Sequence, residues 1–157
     1  MMISVIGGSK ASKEEMSLAE SVGRILAQHD VTVICGGGGG VMEGVCKGAR
    51  NYGGHTVGIM PGRNVVESPP NEWVEFPVFT GLGFARNSIV VLSGQSVIAI
   101  GGSYGTLNEI SFSLIHEIPV IGLGTWGFSY DSYNEDKIIR TDTPDEAVKM
   151  ALELSRM

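Results

Sequence analysis

The chain has 157 residues, enough for one compact domain with a sizeable core, and its 43% hydrophobic content excludes a disordered polymer. Seventeen acidic residues against eleven basic ones give a net charge of −6 with no basic block, which argues against non-specific nucleic-acid or anionic-membrane binding. Cys35 and Cys46 are too few for a disulfide framework and read as reduced core residues, and no apolar run approaches the ~18–20 residues of a membrane span.

The chain opens on Met1-Met2-Ile3-Ser4-Val5-Ile6-Gly7-Gly8, which lacks the basic flank and length of a signal peptide, so a cytoplasmic protein is expected. Ile3–Ile6 reads as the first strand. Ser12-Lys13-Glu14-Glu15 is a capping box, and Leu18, Ala19, Val22, Ile25 and Leu26 form one apolar helical face behind it. Val31–Cys35 is a second strand, followed by five consecutive glycines and a helix with Val41, Met42, Val45, Cys46 and Ala49 on its apolar side. Thr56–Met60 is a third strand. Residues 61–72, from Pro61 to Glu72, form the longest irregular stretch; a loop of this length after a strand is expected to overhang a site, with Arg63 either reaching a ligand or solvated. Val74–Phe79 contains Pro77, which restricts it to an edge or irregular strand because proline cannot donate to a ladder.

Phe84–Leu92 has a helical period, Ser96–Ile100 is a fifth strand, Leu107–Ile115 a further helix, and Pro119–Gly122 a sixth strand. Thr125-Trp126-Gly127-Phe128 offers rings for stacking on a base, or for a core or dimer interface. Thr143-Pro144-Asp145-Glu146 opens the last helix with a threonine cap, proline at the first helical position and glutamate three residues after the cap. Several strands are apolar almost throughout, as parallel strands covered on both faces are. Alternating strands and helices therefore predict a single domain over residues 1–157, a three-layer α/β Rossmann-like fold with a mostly parallel sheet between helices.

Twenty-three glycines are roughly twice the usual share. Thirteen lie just past a predicted strand: Gly7, Gly8, Gly36 to Gly40, Gly62, Gly101, Gly102, Gly105, Gly122 and Gly124. The carboxyl ends of parallel strands share one edge, so these loops converge there. Backbone amides in such loops approach a ligand closely, and a following helix start adds partial positive charge; tight turn geometry is the plainer use of glycine. Five in a row exceed what a turn requires, so an anion site is expected. The cluster Gly101-Gly102-Ser103-Tyr104-Gly105-Thr106 couples a strand end to a helix start and adds the hydroxyls of Ser103 and Thr106, a cradle suited to phosphate. Gly8, Ser9, Gly38, Gly39 and Gly40 are expected to assist.

Familiar nucleotide motifs are absent. Gly36 to Gly40 is followed by Val41-Met42-Glu43, so there is no P-loop lysine, and neither cluster supplies G-x-G-x-x-G in register. His29, His55 and His116 are scattered, so no metal site is expected, and there is no G-x-S-x-G elbow. Arg86 is the only charged residue between Phe76 and Asn108. On an apolar helix behind Gly81-Leu82-Gly83 it either snorkels to solvent or meets a carboxylate or ligand. Glu109 either complements the helix dipole or serves a sugar beside a bound phosphate. Arg86 and Glu109 are the candidate catalytic pair.

These elements resemble the Lonely Guy family of phosphoribohydrolases, often labelled possible lysine decarboxylases. The family hallmark Pro-Gly-Gly-x-Gly-Thr-x-x-Glu is similar to the string from Ile100 to Glu109, read with isoleucine in place of proline. Gly36 to Gly40 with Val41-Met42-Glu43-Gly44 is similar to its glycine-rich segment, Gly7-Gly8-Ser9 to its serine loop, and Arg86-Asn87 to its Arg-Lys pair. The resemblance implies a Rossmann-like fold, a homo-oligomer (dimer or tetramer), and cleavage of the N-glycosidic bond of a nucleoside 5′-monophosphate without a cofactor. The departures at Ile100 and Asn87 place the chain near molybdenum-cofactor carriers and DNA-processing protein A. That position implies, as an alternative, a carrier or sensor of a nucleotide or molybdenum cofactor. The −6 charge speaks against DNA binding, and no lysine lies in a recognisable pyridoxal-phosphate context.

Overall fold

The computed structural model describes residues 1–129 and 137–156. In chain order it runs β1 (Met2–Gly7), α1 (Lys13–Gln28), β2 (Thr32–Cys35), α2 (Val41–Asn51), β3 (Thr56–Met60) and β4 (Phe76–Phe79). A 3₁₀ turn (Gly83–Ala85) leads into α3 (Arg86–Leu92), then β5 (Val97–Ile100), α4 (Tyr104–Ile115), β6 (Val120–Leu123), β7 (Ile139–Thr141) and α5 (Pro144–Leu154). The strands form one sheet in the order β4-β3-β2-β1-β5-β6-β7, and every pairing among the described residues is parallel.

The apolar strands divide their side chains between two helical layers. Ile3, Val5, Val33, Cys35, Ile98, Ile100, Ile121 and Leu123 pack with α1, α2 and α5. The alternate positions Ile6, Ile34, Val97, Ala99 and Val120 pack with α3 and α4. The period of two along each strand thus builds both cores at once. Local signals set the helix ends: Glu15 N–H donates to Ser12 Oγ at 3.1 Å and Ser12 N–H to Glu15 Oε2 at 2.7 Å, completing the capping box of α1. Thr143 caps α5 by accepting from Glu146 N–H at 3.3 Å, while Glu146 Oε2 accepts from Asp142 N–H at 3.1 Å.

Four expectations need adjustment. The Pro77 segment is an edge strand as its proline requires, but only Phe76–Phe79 pairs. The helix expected over 84–92 opens with a 3₁₀ turn and becomes α-helical at Arg86, and α4 begins at Tyr104, three residues before the apolar pattern starts. The seventh strand has no counterpart in the sequence reading: three residues are too short to show a period, and β7 exists through its pairing with β6. Glycines outside the thirteen at strand ends have other uses. Gly23 and Gly48 lie where α1 and α2 touch backbone to backbone, Gly23 against Val45 and Gly48 against Glu20. Among the described residues no helix is long and apolar enough to cross a membrane.

Candidate functional site

The strand order reverses at β1, which has β2 on one side and β5 on the other. At such a switch point the loops leaving two neighbouring parallel strands diverge and leave a crevice at their carboxyl ends. Here the loops are Gly7–Ser9 after β1 and Gly101–Ser103 after β5. A cleft of ≈ 350 Å³ opens there, lined by Gly7, Gly8, Ser9, Met42, Phe84, Arg86, Asn87, Ser103, Tyr104, Gly105, Thr106 and Glu109. That volume falls within the usual range for small-ligand sites.

α4 starts at this cleft without a side-chain cap: Ser103 is the N-cap residue and its hydroxyl makes no capping bond. The amides of the first turn, Ser103 to Thr106, have no acceptor among the described residues, and they carry the positive end of a twelve-residue helix dipole. α2 is different. Its first amide, Val41 N–H, is already taken by the Gly8 carbonyl at 3.0 Å. The two glycine clusters therefore do different things. Ser103, Tyr104, Gly105 and Thr106 line the cleft, as do Gly8 and Ser9, whereas Gly38, Gly39 and Gly40 are not among its lining residues. A Cβ on Gly40 would meet the Gly8 carbonyl, and one on Gly39 would lie 3.4 Å from the Ser9 carbonyl, so this run lets the Gly8–Ser9 loop sit close.

Gly101 and Gly102 also stand outside the lining. Gly101 N–H donates to the Leu123 carbonyl at 3.4 Å, and its own carbonyl accepts from Thr125 Oγ1 at 2.6 Å. Their backbones take φ +50 and +103. Counted back from Gly105-Thr106 and Glu109, the nine-residue hallmark begins at Gly101. Gly101, and not Ile100, thus occupies the proline position, in a conformation closed to proline.

Arg86 and Glu109 come together as the sequence suggested. Arg86 Nη1 lies 3.6 Å from Glu109 Oε1, and the side chains are 13% and 8% exposed. Arg86 Nη1 also donates to Asn87 Oδ1 at 2.6 Å, and Nη2 to the Gly36 carbonyl at 3.4 Å, while its buried Nε has no partner among the described residues. Room for the guanidinium exists because residue 36 is glycine: a Cβ there would lie 2.7 Å from Nη2. Burial pushes the Glu109 carboxyl up to about 7 against the opposing pull of Arg86. The same burial lowers Arg86, with Glu109 opposing. A carboxyl of this kind changes protonation near neutrality and can act as acid, base or fixed charge.

Asn108 and Asn71 were not singled out from the sequence, and Asn87 entered only as the residue standing where the resembled family has lysine. Asn87 is buried and donates through Nδ2 to Asn108 Oδ1 at 3.1 Å, joining α3 to α4 beside the cleft. Asn71 donates through Nδ2 to the carbonyls of Gly37 and Gly38, tying the 61–72 loop to the glycine run. That loop does not line the cleft, and Arg63 pairs with Glu67 of the same loop instead of reaching toward a ligand, because the carboxylate four residues on is the nearer partner. Trp126 and Phe128 pack against the α3–α4 core, and Trp126 stacks on Tyr104. Cys35 and Cys46 are free and buried, their sulfurs 3.4 Å apart. Their mutual hydrogen bond holds the Cys35 thiol below its usual range and pushes Cys46 above it. Among the described residues no group of three or more His, Cys, Asp or Glu side chains gathers to hold a metal ion.

Known proteins share this architecture. An uncharacterised protein of Archaeoglobus fulgidus is 39% identical over 114 residues, spanning 73% of this chain and 74% of its own. A cytokinin riboside 5′-monophosphate phosphoribohydrolase of Mycobacterium tuberculosis is 28% identical over 126 residues, 76% of this chain and 67% of its own. The molybdenum cofactor binding protein of Rippkaea orientalis superposes with a TM-score of 0.86 at 29% identity, covering 98% of this chain and 96% of its own. The model of the SLOG cluster4 family matches residues 1–150, so nearly the whole Rossmann-like unit, cleft included, falls within it: the chain belongs to the SLOG cluster4 family.

Proposed function

We propose that the cleft binds a nucleoside 5′-monophosphate and that the chain hydrolyses its N-glycosidic bond. One observation carries this reading: a buried Arg86–Glu109 pair, its carboxyl titrating near 7, lies in the same cleft as the uncapped start of α4. The amides of Ser103 to Thr106 hold the phosphate, with Gly8 and Ser9 opposite. The ribose then extends toward Glu109. In the reaction, water oxygen bonds to C1′, the C1′–N bond breaks, and its electron pair leaves with the base, which takes up a proton. Ionised Glu109 faces the positive charge developing on the sugar and takes the proton from the attacking water. Arg86 orients that carboxylate. The Mycobacterium tuberculosis relative, a phosphoribohydrolase by name, supports the reading. The enzyme works as a cytoplasmic homo-oligomer, with backbone amides holding the phosphate and Glu109 and Arg86 acting at the sugar.

A second reading, carriage of a phosphorylated ligand such as molybdenum cofactor without turnover, is favoured by the near end-to-end match to the Rippkaea orientalis protein. Asn87 in place of a lysine supports it too. Incubation with adenosine monophosphate separates the two. The hydrolase releases adenine, and Glu109→Gln or Arg86→Ala lowers the rate at least ~100-fold. No base release across a nucleotide panel, with an intact phosphorylated ligand copurifying by mass spectrometry, establishes the carrier instead.

A further inference from the structure

Two aromatic rings at the mouth of the cleft have no role in a site for phosphate and sugar alone. Phe84 is 86% exposed and Tyr104 81% exposed, though both line the cleft. A second cavity of ≈ 380 Å³ adjoins the first, sharing Phe84, Asn87, Tyr104 and Gly105 with it and adding Ala85, Asn108 and Phe112. No charged side chain lines this second cavity. Its wall combines three aromatic rings with two amides, and the Asn108 NH₂ has no partner among the described residues while Asn108 Oδ1 accepts from Asn87. Tyr104 is braced: it stacks on Trp126 with centroids 6.2 Å apart and planes 28° apart, and Trp126 packs on the α3–α4 core.

An exposed ring held from behind, as Tyr104 is, suits a flat partner, because every nucleobase presents a π face while its edge carries the hydrogen-bonding identity. We propose that the second cavity is a subsite for a planar nitrogen heterocycle, purine or pterin, stacked on Tyr104 and Phe84 and read at its edge by Asn108. The occupant is part of the ligand and not a second copy of the chain, because the cavity shares Phe84, Asn87, Tyr104 and Gly105 with the polar cleft, within reach of a single ligand seated there. Tyr104 thereby moves from the phosphate cradle, to which it contributes only its amide, to the heterocycle. The subsite rests on the phosphate reading of the first cavity.

Titration of the Glu109→Gln chain, in which turnover is suppressed, with ribose 5-phosphate, adenosine monophosphate and neopterin monophosphate tests it. At least one heterocycle-bearing ligand is expected to bind ~10-fold or more tightly than ribose 5-phosphate, the ratio between the two telling purine from pterin. Tyr104→Ala removes that advantage, Tyr104→Phe retains it, and Phe84→Ala leaves ribose 5-phosphate within about two-fold. Phe84→Ala, at an exposed position where folding is insensitive, gives the same direction should Tyr104→Ala not fold. Ribose 5-phosphate binding as tightly as both heterocycle ligands overturns the subsite and spares the phosphate site. Failure of all three ligands to bind overturns the phosphate site itself. Loss of an oligomer in Phe84→Ala with ligand selectivity unchanged assigns the face to a second copy, and the subsite falls.

Discussion

The Arg86 guanidinium stands 3.6 Å from the Glu109 carboxylate, yet its shortest bond, 2.6 Å, goes to the side-chain oxygen of its own neighbour Asn87. Burial penalises the ionised Glu109 carboxyl, and the Arg86 charge opposes that penalty. At 3.6 Å the attraction does not outweigh the cost of burying the carboxylate. Glu109 consequently rises to about 7 despite an arginine at its side. A close ion pair would have done the reverse and locked the carboxylate below the usual range, unable to exchange a proton near neutrality.

The rate of base release should therefore follow the ionisation of Glu109. With the carboxylate as the working form, kcat/KM rises with pH and levels off above about 7. The substrate phosphate titrates at about 6, so the control is the Glu109→Gln chain, whose residual rate should lose the upper limb. A profile whose limb survives in Glu109→Gln would assign the titration to another group.

Stability should respond to the same group. Its folded pKa of about 7 lies above the ordinary 4.5, so its contribution is complete below pH 4.5 and is lost as pH rises through 7. Between pH 4.5 and 8 the wild-type chain should lose up to about 3 kcal/mol more than Glu109→Gln does. Urea unfolding of both chains across that range measures the difference. Parallel curves would show that Glu109 is solvated in the folded protein.

Much of this arrangement was legible in the residues. Ser12 with Glu15 and Thr143 with Glu146 mark helix starts by local hydrogen bonding, which needs no tertiary context. Arg86 stood out because a lone charge on an apolar helix needs a partner, and Glu109 supplies it across two helices. The division of labour between the glycine clusters was not legible. Whether Gly40 lines a cleft or cushions the Gly8 carbonyl depends on which backbone passes it, and that follows from sheet order. Phe84 read as an ordinary apolar residue opening a helix, whereas it sits exposed in the 3₁₀ turn ahead of α3. The Asn87–Asn108 bond joins two amides 21 residues apart that carry no pattern of their own.

Glycines 36 and 40 separate function from folding. A methyl at Gly36 would lie 2.7 Å from Arg86 Nη2, the far end of a side chain, and residue 36 does not occupy the left-handed region. Gly36→Ala should fold, displace the guanidinium from Glu109 and lower base release by about 100-fold, the scale of a misplaced catalytic group. Because Arg86 is what restrains the Glu109 pKa, the midpoint of the pH profile should also move upward. Gly40 has φ +63, and a methyl there meets the Gly8 carbonyl, which as backbone cannot swing aside. Gly40→Ala should cost about 1–3 kcal/mol of stability through strain and loss of the Gly8–Ser9 packing. Thermal unfolding and base release, measured on both chains, check the contrast. Equal destabilisation by the two substitutions would mean that Gly36 serves the fold and that Arg86 does not depend on it.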